Sequence, residues 1–390
     1  MDFALSEEQQ MIVDTAMRFV EEELYPYEEE VEESDQVRPD LVKQIIERSR
    51  NIGLYAANMP AELGGGGLDT MSMTLLDRVL GRANMALNYT VYRPSNILQA
   101  CVDQQRDEYL FPCINGERVD CIAMTEPGAG SDVRSMKTKA ARDGDDWVIN
   151  GTKHFISHAD WADFVILFAA TGYDDTPRGP RNRITTFLVD KGTPGFTIRD
   201  GYKNVSHRGY HNFILEFDDC RVPHSKVLGE VDQGFEVAND WLGATRVQVA
   251  GMALGRCDRA MEHALDWAAT RKQFGQTIGK FQGVGFKLAD MQMRIKQAEL
   301  VTYQAAWKDT LGQMTDMDAA IAKLSATETL AFVADEAIQI HGGMGVMTEL
   351  PLERIWRDSR IERIWEGTSE VQRLIISRAL LRPLEAANAG

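Results

Sequence analysis

The chain has 390 residues, 44% hydrophobic and 26% charged, a balance that suits two or three globular domains and excludes a disordered, collagenous or small disulfide-built protein. Its 59 acidic residues against 42 basic ones leave a formal charge of -17, which repels a polyphosphate backbone, so nucleic acid is not an expected partner. No apolar run approaches the roughly 18 to 20 residues that cross a bilayer, so no membrane insertion is expected. The opening MDFALSEEQQ lacks the regions of a signal peptide, and the expected location is the cytoplasm, or the mitochondrial matrix if a presequence was removed.

From Leu5 to about Phe111 apolar residues recur at helical spacing: Met11, Ile12, Thr15 and Phe19, then Leu41, Ile45 and Ile46, then Leu75, Leu76, Val79 and Leu80. The eight glutamates between Phe19 and Val37 surround Pro26, which predicts a break in the first helix and a solvated acidic face. The run Gly64 to Gly67 reads as a loop between helices. From Asp120 to about Val231 the texture changes to short apolar or alternating runs, CIAM, WVI, FVILFA, ITTFLV and FILEF, separated by turn residues. Asp-Gly at Gly144 predicts a tight hairpin there. With no strand–helix alternation and no G-x-G-x-x-G after a strand, a Rossmann-type domain is not supported. Helical period returns around Trp241 to Arg271, Val284 to Leu311, Met317 to Ile340 and from Ser369 onward, with a turn at Thr310 to Asp318.

The fold class is therefore α+β, with an N-terminal helical domain (1–119), a small β-barrel-like middle domain (120–233) and a C-terminal four-helix bundle (234–390). The cysteines Cys101, Cys113, Cys121, Cys220 and Cys257 are odd in number and form no C-x-x-C pair, which predicts reduced, structural thiols and no metal site.

Five segments carry chemistry. MTEPGAGSD at 124–132 is a turn whose backbone amides are free to face an anion or a carbonyl-rich ring. NGTKHFIS at 150–157 places an aromatic residue and a hydroxyl on one strand, suited to a flat heterocycle or to plain core. RKQFG at 271–275 sets a cation and an aromatic ring at a helix end, equally compatible with a pyrophosphate or a simple cap. QIHGGMG at 339–345 stops a helix with glycines, and WEGTSEVQR at 365–373 presents Glu366 at a bend, with Ser369 predicted to cap the last helix.

Each segment alone is common; in this order and at these separations the chain resembles the acyl-CoA dehydrogenase family over nearly its whole length. The resemblance implies FAD-dependent oxidation of an acyl-CoA thioester to the trans-2-enoyl thioester. Glu366 of the E-G-T turn is then the α-proton base and Arg246 a positioning group. Thr245 stands where some branches carry an alternative glutamate. The implied carbonyl donors are the amide of Glu366 and a ribityl hydroxyl of FAD. Residues implied to hold FAD are Met124, Thr125, Gly130, Ser131, Phe155 and Ser157, with Thr368 and Glu370 at the adenosine diphosphate portion. Arg271, Gln273, Phe274, Phe281, Gln282, Gln339 and Gly343 match residues that reach a neighbouring subunit's FAD, implying a homo-oligomer, a dimer of dimers. Phe155, Phe281 and Glu370 replace the family's commoner Trp, His and Gln.

Substrate contacts are expected from Ser131, Trp365 and Gly367, and from Tyr89, Tyr92 and Arg93, whose bulk and polarity suit a short, branched or polar-ended acyl group. Arg134, Lys137 and Lys139 are candidates to offset the CoA charge, and VSHRGYHN at 205–212 lacks the commoner glycine-rich pattern. Electron-transfer flavoprotein is the implied electron acceptor. The competing readings are an oxidase, an eliminating enzyme that retains FAD, and a silent scaffold.

Overall fold

The computed structural model describes residues 4–388 except 92 and 178, and side chains except those of 239–242 and 385–388. Helix α1 (Glu7–Phe19) starts at a capping box in which Ser6 and Gln9 satisfy each other's backbone amides. As Pro26 predicts, the helix gives way to a wide turn and a 3-10 turn at Tyr25–Tyr27 before α2 (Glu28–Ser34). The acidic run is only in part the solvated face its composition predicts: Glu21, Glu22, Glu29 and Glu33 are exposed, but others turn inward. Glu28 is buried against Arg259 and Arg354, and Glu32 pairs with Arg357 at 2.8 Å. Those arginines lie more than two hundred residues away, so the charge neutralisation was invisible to local pattern.

Helices α3 (Pro39–Asn51), α4 (Thr70–Leu80), α5 (Met85–Thr90) and the short α6 (Phe111–Ile114) complete the N-terminal part. The middle part is an eight-stranded sheet of β1 (Asp120–Ala123), β2 (Lys139–Asp143), β3 (Asp146–Ser157), β4 (Phe164–Thr176), β5 (Gly179–Asp190), β6 (Phe196–Asp200), β7 (Asn212–Pro223) and β8 (Val227–Leu228). Its order is β6-β7-β3-β2-β4-β5-β8, with β1 parallel to β4, and the β2–β3 hairpin turns at Gly144 (φ 62°). Strand β4 is buried on both faces: Phe164, Ile166 and Phe168 pack towards the N-terminal helices, while Val165, Leu167 and Ala169 fill the inside of the curved sheet.

Helix α7 (Gly234–Thr270) begins seven residues before its predicted start and spans 37 residues. It packs with α8 (Gln282–Thr310) and α9 (Asp316–His341) around an alanine-rich core, closed by α10 (Leu352–Glu362) and α11 (Ser369–Asn388). The α10 helix was not anticipated. Gly251 and Gly255 let α4 lie directly on α7: a Cβ at Gly255 would strike the Arg78 carbonyl. Arg78 then bridges three helices, with Asp258 at 2.7 and 2.8 Å, Glu299 at 2.9 Å and Tyr303 at 2.7 Å. All five cysteines are buried and free, and no group of metal-ligating side chains occurs among the described residues.

Candidate active site

Two backbone outliers mark the site. Glu366 (φ 52°) and Gly367 (φ 87°) form a left-handed bend between α10 and α11, a conformation that costs a non-glycine residue energy and persists only where surrounding contacts enforce it. Gln372, fully buried, turns back and donates to the Glu366 and Gly367 carbonyls at 3.3 and 2.9 Å, and Lys323 of α9 donates to the Gly367 carbonyl at 2.9 Å. The helix cap falls one residue earlier than predicted: Thr368, not Ser369, accepts from the Val371 amide at 3.2 Å. Ser369 instead donates to Glu328 at 2.7 Å. The Glu366 amide donates to no group among the described residues.

The Glu366 carboxyl is lifted to about 7, chiefly because burial disfavours its charged form. Lys323 and Arg246 oppose that rise, and the second carboxylate, Glu362, adds to it. Glu362 is fully buried but held ionised, down to about 2: the cost of burial is outweighed by Arg256, His207 and Trp365. Arg256 pairs with it directly, Trp365 Nε1 donates to it at 2.7 Å, and His207 Nε2 lies 3.4 Å away. Arg246 binds Asp316 at 3.0 Å, and its buried Nε makes no hydrogen bond among the described residues.

Tyr210 stands between Trp365, just before this bend, and His158, the residue after Ser157. Its ring meets His158 edge-on at 4.0 Å, Tyr89 at 5.3 Å and Trp365 at 6.1 Å, and rests on Met85, Val249 and Met252. Tyr89 stacks on His158 at 3.8 Å. His158 is buried and neutral, pushed down to about 3 by desolvation, and its Nε2 has no hydrogen-bond partner among the described residues. Arg93 pairs with the buried Asp77 of α4. Tyr92 falls outside the described residues.

The second candidate surface begins at the turn after β1. Lys153, fully buried, binds the Met124 carbonyl at 2.9 Å and Glu126 at 2.8 Å, while the His154 amide donates to the Thr125 carbonyl at 3.0 Å. Beyond this clamp Gly130 and Ser131 are exposed, and their amides donate to nothing among the described residues. A bulge in β3 opposite β7 puts Phe155 in the left-handed region (φ 55°) and turns its ring outward, 55% exposed, beside Ser157. These free amides, the outward ring and the hydroxyl fit a flat, anionic, carbonyl-bearing cofactor. Lys153 was legible as the inward position of a strand that also buries Trp147 and Ile149, a charge where an apolar residue belongs.

Arg271, Gln273, Phe274 and Gln282 are exposed on the short hairpin after α7 and at the start of α8, with Phe274 92% exposed and edge-on to Phe281. The end of α9, with exposed Gln339 and Gly343, is joined to them by a pair the sequence reading passed over: His341 stacks on Trp267 at 5.0 Å, and Arg271 lies over the same indole. Thr368 is partly buried, whereas Glu370 is exposed, 3.9 Å from Arg373.

Three family models match successive parts of the chain: the acyl-CoA dehydrogenase N-terminal domain over residues 6–117, the middle domain over 121–220 and the C-terminal domain over 232–381. The human mitochondrial short-chain specific acyl-CoA dehydrogenase is 37% identical over 385 residues, 97% of this chain and 91% of that protein. A 3-(aryl)acrylate reductase of Clostridium sporogenes is 35% identical over 382 residues, 97% of this chain and 99% of that one. The structure of butyryl-CoA dehydrogenase from Megasphaera elsdenii superposes with a TM-score of 0.89 at 34% identity, covering 98% of this chain and 100% of that one.

Proposed function

The chain belongs to the acyl-CoA dehydrogenase family of flavoprotein oxidoreductases, and on that premise we propose that it is an FAD-dependent dehydrogenase of short acyl-CoA thioesters with Glu366 as the base. The observation that carries this reading is a carboxylate on an enforced bend, its pKa lifted to about 7, beside an unengaged backbone amide.

Bound FAD supplies a ring nitrogen, N5, that accepts the hydride leaving Cβ. The Met124–Ser131 turn, Phe155 and Ser157 hold the cofactor. Arg271, Gln273, Phe274, Phe281, Gln282, Gln339 and Gly343 present a surface to the cofactor of a second copy, and Thr368 and Glu370 serve the adenosine diphosphate portion of FAD. The substrate lies between Trp365 and Gly367 on one side and Ser131 on the other. Glu366 takes the α proton as its carboxylate, and its own amide steadies the negative charge that develops on the thioester oxygen. Burial of Glu366 brings its basicity near working pH, where a carboxylate strong enough to take the proton still exists in quantity.

Tyr210, Tyr89 and His158 close the acyl end, which supports a short acyl group. Arg134, whose pKa is lowered by burial and by the neighbouring Arg181, supports an anionic partner such as the CoA phosphates. Phe286, Met293, Leu300 and Trp307 are exposed at seven-residue intervals along α8 and support self-association into a homo-oligomer. Electron-transfer flavoprotein is the proposed acceptor.

A second reading, reduction of an α,β-unsaturated acyl group, is favoured by the 35% identity to the 3-(aryl)acrylate reductase and by the aromatic lining of the acyl end. In that direction protonated Glu366 gives its proton to Cα. Anaerobic mixing with a panel of straight, branched, aromatic and charged acyl-CoAs tests both readings. Bleaching of the flavin by short saturated thioesters, lost in Glu366→Gln, supports dehydrogenation. Reoxidation of reduced flavin by enoyl thioesters alone supports reduction, and neither response refutes both.

A further inference from the structure

Lys323 lies in the buried stripe of α9 with Ala319, Ala326 and Leu330, and is itself wholly buried. A lysine in such a stripe normally pairs with a carboxylate, because an unpaired buried ammonium is expensive. Here, among the described residues, the ammonium forms no ion pair and one hydrogen bond, to the Gly367 carbonyl at 2.9 Å. Three acids nevertheless face it: Glu362 from α10, Glu366 from the bend and Glu328 from its own helix, with Arg246 of α7 as the nearby like charge.

We propose that Lys323 is the positioning residue of the base: its ammonium pins the Gly367 carbonyl, so fixing the bend that aims Glu366, and its charge stabilises the Glu366 carboxylate. This rests on Glu366 acting as the base. Two terms follow from one side chain. Gln372 shares the mechanical one, since its amide donates to the same carbonyl, but carries no charge. Lys323 alone supplies both. Arg246 is tied to Asp316, and Glu362 is neutralised by Arg256, which leaves Lys323 as the cation on this side of Glu366 without a carboxylate bonded to it. Its own pKa is depressed to about 8 by burial, so it remains mostly charged at neutral pH.

The test is a carbon-13 NMR titration of the flavin-loaded protein, observing glutamate side-chain carboxyls and lysine Cε, with the Glu366 signal assigned by its loss in Glu366→Gln. In wild type the Glu366 midpoint is expected near 7, and in Lys323→Met it is expected about one unit higher, since an opposite charge at close range moves a carboxyl by one to three units. In Gln372→Leu, which loosens the bend without removing charge, the midpoint is expected to stay, while the rate of flavin bleaching falls at every pH. If Lys323→Met does not fold, the reciprocal measurement decides: in Glu366→Gln, which keeps the shape, the Lys323 midpoint should drop below its wild-type value. An unmoved Glu366 midpoint in Lys323→Met, or an unmoved Lys323 midpoint in Glu366→Gln, overturns the proposal. Because the titration needs no turnover, failure of Glu366 as the base would show separately, as bleaching that survives in Glu366→Gln.

Discussion

Exchanging Glu366 for glutamine keeps the shape of the bend and removes a charge that the fold disfavours, so the variant should be more stable than wild type, by an amount that depends on pH. In the folded protein the carboxyl is lifted from 4.5 to about 7. Between those values the folded state keeps a proton that the unfolded chain has released, so wild-type stability falls as pH rises through the interval, and the loss is complete above about 7. At about 1.4 kcal/mol per pH unit the interval is worth about 3 kcal/mol. The side chain is not wholly shielded from water, and screening reduces the realised gain to about 1–2 kcal/mol. Urea unfolding of flavin-loaded wild type and Glu366→Gln should therefore show that gap at pH 8 and about a quarter of it at pH 5, which lies only a little way into the interval between the unfolded and folded values. A gap of equal size at both pH values would mean that Glu366 titrates normally and that burial does not set its basicity.

Tyr210→Ala should extend activity towards longer acyl chains while lowering it on short ones, read as kcat/KM across a chain-length series; an unchanged preference would move the chain-length stop elsewhere. Lys153→Met leaves Glu126 buried with only the Lys137 and Thr138 amides as donors, and should cost about 3–5 kcal/mol in urea unfolding and release flavin on dialysis. Retention of flavin with normal stability would show that the clamp under the Met124–Glu126 turn is dispensable. Gly255→Ala forces a methyl group against the Arg78 carbonyl and should lower stability by about 1–3 kcal/mol; a neutral effect would mean that α4 and α7 can part without penalty.

The parts of the fold that depend on local pattern were legible in the sequence: the strand runs through the middle of the chain, the hairpin at Gly144, the interruption at Pro26, the resumption of long helices. Where the reading went astray, a distant partner had overruled composition. Glu28 looked like part of a solvated run because Arg259 and Arg354 cannot be placed beside it without the fold. Ser369 looked like a cap by spacing alone, but Glu328 captures its hydroxyl, and Thr368 takes the role. Glu366 itself was found through the resemblance carried by its neighbours. Lys153 and Lys323 were missed although each is a charge at a position whose period says core, a signal that asks for a buried partner before the partner is known.

The five buried thiols give the molecule an internal clock. Cys101 and Cys113 lie in the first region, Cys121 and Cys220 in the sheet and Cys257 in the long helix, and burial pushes Cys101 up to about 12 and Cys220 up to about 11. A thiol that is both hidden and protonated does not react with an alkylating agent until its surroundings open. The order in which these sulfurs acquire label, followed by mass spectrometry under native conditions, would therefore report which of the three regions breathes first and whether binding of cofactor or thioester slows one region or all of them together.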